Sequence, residues 1–297
     1  MNRFQTILVT GCAGQLGQSI QSIAADFLEF EFIFANRQDL DLIDEISMDK
    51  FFENQTFDII INCAAYTAVD KAESEPELAN KINHLAVQKL ARIAKEHRSR
   101  LIHISTDYVF SGKQYRPYLE TDEVQPEGVY GKSKLYGEHD IQSILKTNAV
   151  IIRTSWIYSE YGNNFVETIL KLGQERDTLN VIFDQVGTPT YAKDLAKSIM
   201  SIVKSRAFNQ EYFKTNIVNY SNEGVCSWYD FAKTIFELTN IKCQVIPVET
   251  KDYSSPARRP HYSVLNKTKI KKSYNLTIPY WKDSLRQCLT ELQSSAS

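Results

Sequence analysis

Residues 6–17 read TILVTGCAGQLG. A β-branched apolar run, Thr6–Thr10, meets Gly11, Gly14 and Gly17, spaced G-x-x-G-x-x-G, and an amphipathic stretch opens at Gln15. A strand, a glycine turn and a helix in that order give the glycines a mechanical task. The first ones permit a tight turn and let backbone approach a pyrophosphate, and the last lets helix and strand pack closely. The helix N-terminus then faces the anion. A plain β–α turn is the other reading of the same glycines. On the nucleotide reading Gly11, Gly14, Gln15, Leu16 and Gly17 contact a dinucleotide.

Further along, the alternation repeats. Strands are expected at Thr6–Thr10, Glu31–Ala35, Asp58–Asn62, Arg100–Ser105 and Ala149–Arg153, each nearly unbroken in apolar residues, as strands buried on both faces are. Helices are expected at Gln15–Phe27, Ser47–Glu53, Pro76–Glu96 and Val129–Leu145, the third opened by a capping box at Ser74–Glu77 with proline in its first turn. Repeated βαβ units imply right-handed crossovers and an α/β fold with a doubly wound parallel (Rossmann-type) sheet. After Trp156 the pattern loosens into a helix (Phe165–Gln174), a strand (Val181–Phe183), a helix (Lys193–Val203) and a strand (Asn216–Asn219). A helix from Ser227, a strand near Cys243–Val248 and the loop SSPARRPHYS follow. This reads as a second, smaller substrate-binding lobe. Residues 1–156, with part of 188–221, form the dinucleotide-binding domain, and 157–187 with 222–297 form the lobe.

An acidic residue about 20 positions beyond the glycines would bind an adenosine ribose diol and favour NAD. The second strand ends instead in Phe34-Ala35-Asn36-Arg37. Arg37 suits a 2′-phosphate, so NADPH is the expected cofactor and NADH the second choice. Asn36, with Asp41 and Leu42 beyond it, is expected near the adenosine end. Ala64, Ala65 and Tyr66, after the third strand, are expected along the cofactor's path.

The fourth strand runs into Ser105-Thr106-Asp107-Tyr108, at the carboxyl end where ligands sit in such sheets. Tyr130 and Lys134 follow it, one helical turn apart on one face. A tyrosine of ordinary pKa about 10 exchanges protons poorly at neutral pH. A lysine ammonium beside it favours the phenolate, lowers that pKa and can hold ribose hydroxyls. Thr106 can hydrogen-bond the carbonyl or alkoxide oxygen being handled. A second Tyr-x-x-x-Lys, Tyr229 and Lys233, lies late in the chain in an amphipathic helix without such a setting, and reads as structural.

Composition excludes several classes. Among 297 residues, 43% are hydrophobic and 24% charged, and the formal net charge is −2, so a sizeable core is expected and nucleic acid or an anionic membrane is not the partner. No apolar run reaches the length of a spanning helix, and no leader precedes the first strand. Cys12, Cys63, Cys226, Cys243 and Cys288 are odd in number and never spaced C-x-x-C, which reads as reduced thiols in a cytoplasmic protein. The histidines show no metal-ligand spacing, and His103, inside an apolar run, reads as a core histidine. No metal is expected.

Gly11 to Gly17, Thr106 and the Tyr130/Lys134 pair resemble the extended short-chain dehydrogenase/reductases, which act on nucleotide sugars. The blocks NCAAYTAVDKAESEPELA, ISTDYVFSG, VYGKSKLYGE, IIRTSWIY, GNNF, DQVGTPT and RRPHYSVLN resemble, in order and over most of the chain, the dTDP-4-dehydrorhamnose reductase family. The resemblance implies reduction of the 4-keto group of dTDP-6-deoxy-L-lyxo-4-hexulose to dTDP-L-rhamnose, by a monomer or homodimer. It implies that Tyr130 donates the proton to the C4 oxygen, that Lys134 orients the ribose and tunes Tyr130, and that Thr106 helps match the pKa values. Thr106, Asp107 and Trp156 would touch the sugar nucleotide and Arg258 or Arg259 the diphosphate, although either arginine serves as well in a surface ion pair. Asn163 and Asn164 suit a sugar pocket or a helix N-cap. Three alternatives stay open. A 4,6-dehydratase shares the motifs, but it typically has Asp-Glu after the threonine, where this chain has Asp107-Tyr108. A 4-epimerase and a non-catalytic regulatory subunit of the same fold are the others.

Overall fold

A computed structural model describes residues 4–253 and 255–296, with the side chains of 295 and 296 left out. Six parallel strands form the central sheet: β1 (Gln5–Thr10), β2 (Phe30–Ala35), β3 (Ile59–Asn62), β4 (Arg100–Thr106), β5 (Ala149–Thr154) and β6 (Asn216–Asn219). Their order is β6-β5-β4-β3-β1-β2. From β1 the chain steps outward to β2, then returns past β1 to β3 and continues the other way. The switch point therefore lies between β1 and β3, which run parallel with Thr10 opposite Asn62. Such a reversal leaves a crevice beyond the strand ends.

The apolar runs are continuous because both faces of the sheet are covered. Ile7, Leu8, Val9, Ile59, Ile60 and Ile61 are wholly buried. On one face, helices Gln15–Ile23 and Ala192–Lys204 pack Leu16, Ile20, Leu195 and Ile199 against the sheet, joined by Ile270 and Tyr274 of helix Thr268–Tyr274. On the other, helices Glu45–Glu53, Ala86–His97 and Val129–Ile144 bring in Met48, Phe52, Leu90 and Ile141. A separate apolar cluster holds the smaller lobe, where helices Phe165–Glu175, Trp228–Thr239 and Trp281–Ala296 contribute Val166, Ile169, Phe231, Ile235, Trp281 and Leu285. There strand Thr178–Ile182 pairs in parallel with strand Gln244–Val248.

Several local expectations shift. The first helix stops at Ile23 and tightens into a 3₁₀ turn, Ala24–Asp26. The long helix from Pro76 is interrupted by a π-helical turn, Lys81–Leu85, which places the amide of Asn83 in the core. The capping box at Ser74 does not form. Glu75 is the N-cap, without a side-chain bond, because the Ser74 hydroxyl donates back to the Lys71 carbonyl at 3.0 Å. The strand placed at Val181–Phe183 runs from Thr178 to Ile182. Short helix Val69–Ala72 and the two C-terminal helices, Thr268–Tyr274 and Trp281–Ala296, add to the expected elements. Among the described residues no helix is long and apolar enough to cross a membrane.

Candidate active site

The glycine turn closes the end of β1. Gly11 has φ +66°, and a Cβ there would lie 2.7 Å from the backbone of Ala64. A Cβ on Gly17 would lie 2.5 Å from the Cα of Cys12 and from the Gly11 carbonyl oxygen. Both positions therefore admit glycine alone. Gly14 caps helix Gln15–Ile23 in extended conformation with no side-chain bond, so the helix's first N–H groups face outward unpartnered by a cap. Beside them lies a cavity of about 280 Å³ lined by Gly11, Gly14, Asn36, Arg37, Leu40, Asp41, Leu42, Cys63, Ala64 and Ala65. Eight of the expected cofactor residues thus meet at one place. Arg37 is 74% exposed at its side chain; its Nε makes a long contact with Asp41 Oδ2 at 3.5 Å, and the exposed guanidinium remains accessible to a phosphate. These features fit a dinucleotide with a phosphorylated ribose. Six expected contacts stand apart from the cavity wall: Gln15, Leu16, Gly17, Tyr66, and the pair Tyr130 and Lys134. Gln15 accepts from the Ser159 hydroxyl at 3.1 Å, Leu16 is buried in the core, and the Tyr66 hydroxyl donates to Glu75 Oε2 at 2.7 Å.

Tyr130 and Lys134 stand in the first turns of helix Val129–Ile144. This helix approaches β4 closely because Gly131 replaces what would be a Cβ 2.3 Å from the Tyr108 carbonyl oxygen. Lys134 is 1% exposed, and its Nζ donates to the Ile104 carbonyl of β4 at 2.6 Å and lies 3.3 Å from His103 Nε2. Burial lowers its pKa to about 8, with Glu138 and Cys63 pulling the other way. Tyr130 is half-buried, and its ring meets that of Tyr108 edge-on at 5.5 Å. Its phenol is pushed up to about 12 by burial, with the neighbouring Thr106 opposing and Asp107 adding to the rise. The expected lowering by Lys134 is not seen: desolvation is the dominant influence, and the phenol keeps its proton at neutral pH. That state suits a proton donor.

Thr106 ends β4 and caps a 3₁₀ turn, Asp107–Val109, its Oγ1 accepting from the Tyr108 N–H at 3.2 Å and donating to Asp107 at 3.1 Å. Asp107 is 2% exposed, among the described residues its Oδ2 has no hydrogen-bond partner of normal geometry, and burial raises its pKa to about 7 with Ser263 and Thr106 opposing.

A cavity of about 800 Å³ opens between the sheet's end and the lobe, lined among others by Ser111, Phe165, Trp228, Tyr253, Arg258 and Arg259. Arg259 is already engaged. Its guanidinium forms a two-pronged pair with Asp70, at 3.0 and 2.7 Å, and Asp70 also accepts from the Ala257 N–H. Arg258 is 84% exposed and 4.0 Å from Glu127. Trp156 adopts φ +47°, which a bulky residue rarely adopts, and lies flat on Trp228, the rings 3.6 Å apart. Asn164 is a helix N-cap, accepting from the N–H groups of Val166 and Glu167, so its side chain is used within the backbone. Asn163 is exposed. Among the described residues no cluster of three or more His, Cys, Asp or Glu side chains is arranged to hold a metal ion.

The family described as RmlD substrate binding domain matches residues 5–294. The chain belongs to the dTDP-4-dehydrorhamnose reductase family. A family relative named dTDP-4-dehydrorhamnose reductase, from Aggregatibacter actinomycetemcomitans, is 39% identical over 287 residues, covering 94% of this chain and 97% of the relative. The crystal structure of a dTDP-4-dehydrorhamnose reductase from Clostridium acetobutylicum superposes with a TM-score of 0.91 at 40% identity, over 97% of this chain and all of that one. That of Bacillus anthracis, a complex with NADP, gives 0.90 at 35% identity, again over 97% of this chain and 100% of the other.

Within this family frame, three residues not singled out from the sequence stand at the site. Asn83, in the π turn, accepts from the Tyr66 N–H at 2.9 Å and donates to the Tyr66 carbonyl and to Ser133 Oγ, clamping the β3 loop to the Tyr130 helix. The π turn itself was the missed signal, and sequence periodicity does not show it. Asp70 ties the SSPARRPHYS loop to the nucleotide domain. Trp228 supplies the surface on which Trp156 lies. Tyr229 and Lys233, by contrast, line a separate groove with Phe236, Glu237 and Gln244–Pro247.

Proposed function

We propose that the protein reduces the 4-keto group of dTDP-6-deoxy-L-lyxo-4-hexulose to give dTDP-L-rhamnose. The observation that carries this reading is the meeting of Tyr130, Lys134 and Thr106 at the carboxyl end of β4, beside the glycine cradle, in a chain of this family. NADPH, when bound, supplies the hydride that reaches C4. Gly11, Gly14 and the N-terminus of helix Gln15–Ile23 hold its diphosphate, and Arg37 its 2′-phosphate. Lys134 holds the nicotinamide ribose hydroxyls. Thr106 hydrogen-bonds the C4 oxygen, and Tyr130, kept protonated by its burial, gives that oxygen its proton as negative charge develops there. Asp107, with its unpartnered Oδ2, takes a hydroxyl of the sugar, and Trp156 forms a wall beside it. Asp70 and Arg259 hold the loop that borders the large cavity, where the nucleotide end of the substrate is accommodated. We read the protein as cytoplasmic, on its five free thiols, and as a monomer or homodimer.

The test is NADPH consumption with and without the keto-sugar, followed by identification of the product. The expected result is consumption only with the sugar and a product reduced at C4. A protein that binds NADPH and oxidises none would be a regulatory subunit of the same fold, and the proposal would fall.

A further inference from the structure

Behind Lys134 lies a buried file of side chains whose hydrogen-bond directions are fixed from one end. The Ala64 backbone N–H, which can only donate, meets Asn62 Oδ1 at 3.2 Å, and the Thr10 hydroxyl donates to the same oxygen at 2.7 Å. Asn62 Oδ1 is therefore the carbonyl oxygen and Nδ2 the amide nitrogen, a donor. Nδ2 lies 3.0 Å from His103 Nδ1, so Nδ1 must accept. His103 is wholly buried, and burial with the nearby Lys134 lowers its pKa well below the ordinary value, so the ring is neutral. A neutral imidazole that accepts at Nδ1 carries its hydrogen on Nε2. Nε2 faces Lys134 Nζ at 3.3 Å. An ammonium has three donors and no lone pair, and would set hydrogen against hydrogen there. The amine form has the lone pair this N–H requires, while still donating to the Ile104 carbonyl.

We propose that His103 is a positioning residue which presents Nε2–H to Lys134 and so favours its neutral amine, Lys134 taking up a proton from solvent as NADPH binds at alkaline pH. The first half stands on the fixed file alone. The second rests on the reading of Lys134 as the ribose-holding residue, since ribose hydroxyl oxygens are acceptors that reward an ammonium. The titratable groups around Lys134 are Cys63 at the end of β3, His103 of β4, and Tyr130 and Glu138 on its own helix. Glu138 is bound to Arg153 of β5 at 2.6 Å and accepts from Ser105. Glu138 still opposes the amine of Lys134, but its carboxylate is shared with Arg153, and burial outweighs it.

Nitrogen-15 NMR of protein labelled at histidine reads the tautomer directly, with His103 assigned by its loss in His103→Gln. Should that variant not fold, replacement of His84, His97, His139 and His261 in turn leaves His103 by elimination. The expected spectrum shows an unprotonated Nδ1 and a protonated Nε2 from pH 6 to 9. Carbon-13 labelling at lysine Cε should give Lys134 a midpoint at or below about 8, and calorimetry at pH 9 in buffers of different ionisation heats should show uptake of close to one proton on NADPH binding. A proton on His103 Nδ1, a Lys134 midpoint near that of ordinary lysine, or NADPH binding without proton uptake would each overturn the proposal. Failure of the enzymatic reading is separate, since a protein that does not bind NADPH still reports its tautomer and its Lys134 midpoint.

Discussion

Two helices of this protein carry the same Tyr-x-x-x-Lys spacing, and the fold treats them in opposite ways. In Val129–Ile144 the lysine is 1% exposed, bonded to the strand behind it, and the tyrosine is half-buried beside Thr106. In Trp228–Thr239 the ammonium of Lys233 sits 5.8 Å over the ring of Tyr229, and the lysine is exposed. The local geometry is one helical turn in each case. What differs is the wall the pair faces: the carboxyl end of β4 in one, a groove on the outer lobe in the other. Spacing brings two groups together, but desolvation and the strand end give them altered pKa values and a place to act.

The largest expected effect breaks this comparison at its centre. Tyr130→Phe keeps the ring and removes the proton donor, and should lower kcat by about 10²–10⁴ with folding and NADPH binding preserved. Steady-state kinetics with circular dichroism checks it, and near-normal turnover would mean that the catalytic pair has been misplaced.

Next comes the cost of burying Lys134. Its pKa is about 8 in the fold against 10.5 for an ordinary lysine. Between those pH values the unfolded chain binds the proton and the native protein does not, so stability rises with pH across the window. The penalty is complete below pH 8 and still on the order of 3 kcal/mol at pH 8. Lys134→Met removes it and loses one hydrogen bond, so this inactive variant should melt a few degrees higher than the wild type at pH 8. The gain should shrink as the pH approaches 10.5. Thermal melts at both pH values decide; an unchanged difference would show that Lys134 is not desolvated as described.

Arg37→Ala asks whether the Tyr130 helix stands beside an NADPH site. The loss of one charged hydrogen bond is worth about 1.5–3 kcal/mol, so NADPH binding should weaken roughly 10- to 100-fold while NADH changes little. Equal loss for both cofactors, measured by calorimetry, would remove Arg37 from the phosphate. Smallest are the changes in the outer pair. Tyr229→Phe and Lys233→Met should leave kcat within a few-fold and stability within about 1 kcal/mol, as expected for an exposed cation–π contact.

Much of the fold and half of the site are legible in the sequence, because they depend on near neighbours. Continuous apolar runs specify strands buried on both faces, and Gly11 and Gly17 stand where a strand must turn into a helix with no room for a Cβ. The one-turn spacing of Tyr130 and Lys134 and the missing acid near Arg37 are equally local. The remainder was settled by contacts far apart in the chain. Arg259 meets Asp70 across 189 positions, Trp156 finds Trp228, and Asn83 reaches Ser133 across 50. No local pattern encodes such pairings, since each depends on how two separately folded layers come to rest. The same is true of proton positions. That Tyr130 is pushed up rather than down, and that His103 turns an N–H toward Lys134, follow from burial and from a hydrogen-bond file anchored on one backbone amide. Sequence by itself supplied the candidate groups; tertiary structure decided which of them are desolvated, and desolvation sets where their protons reside.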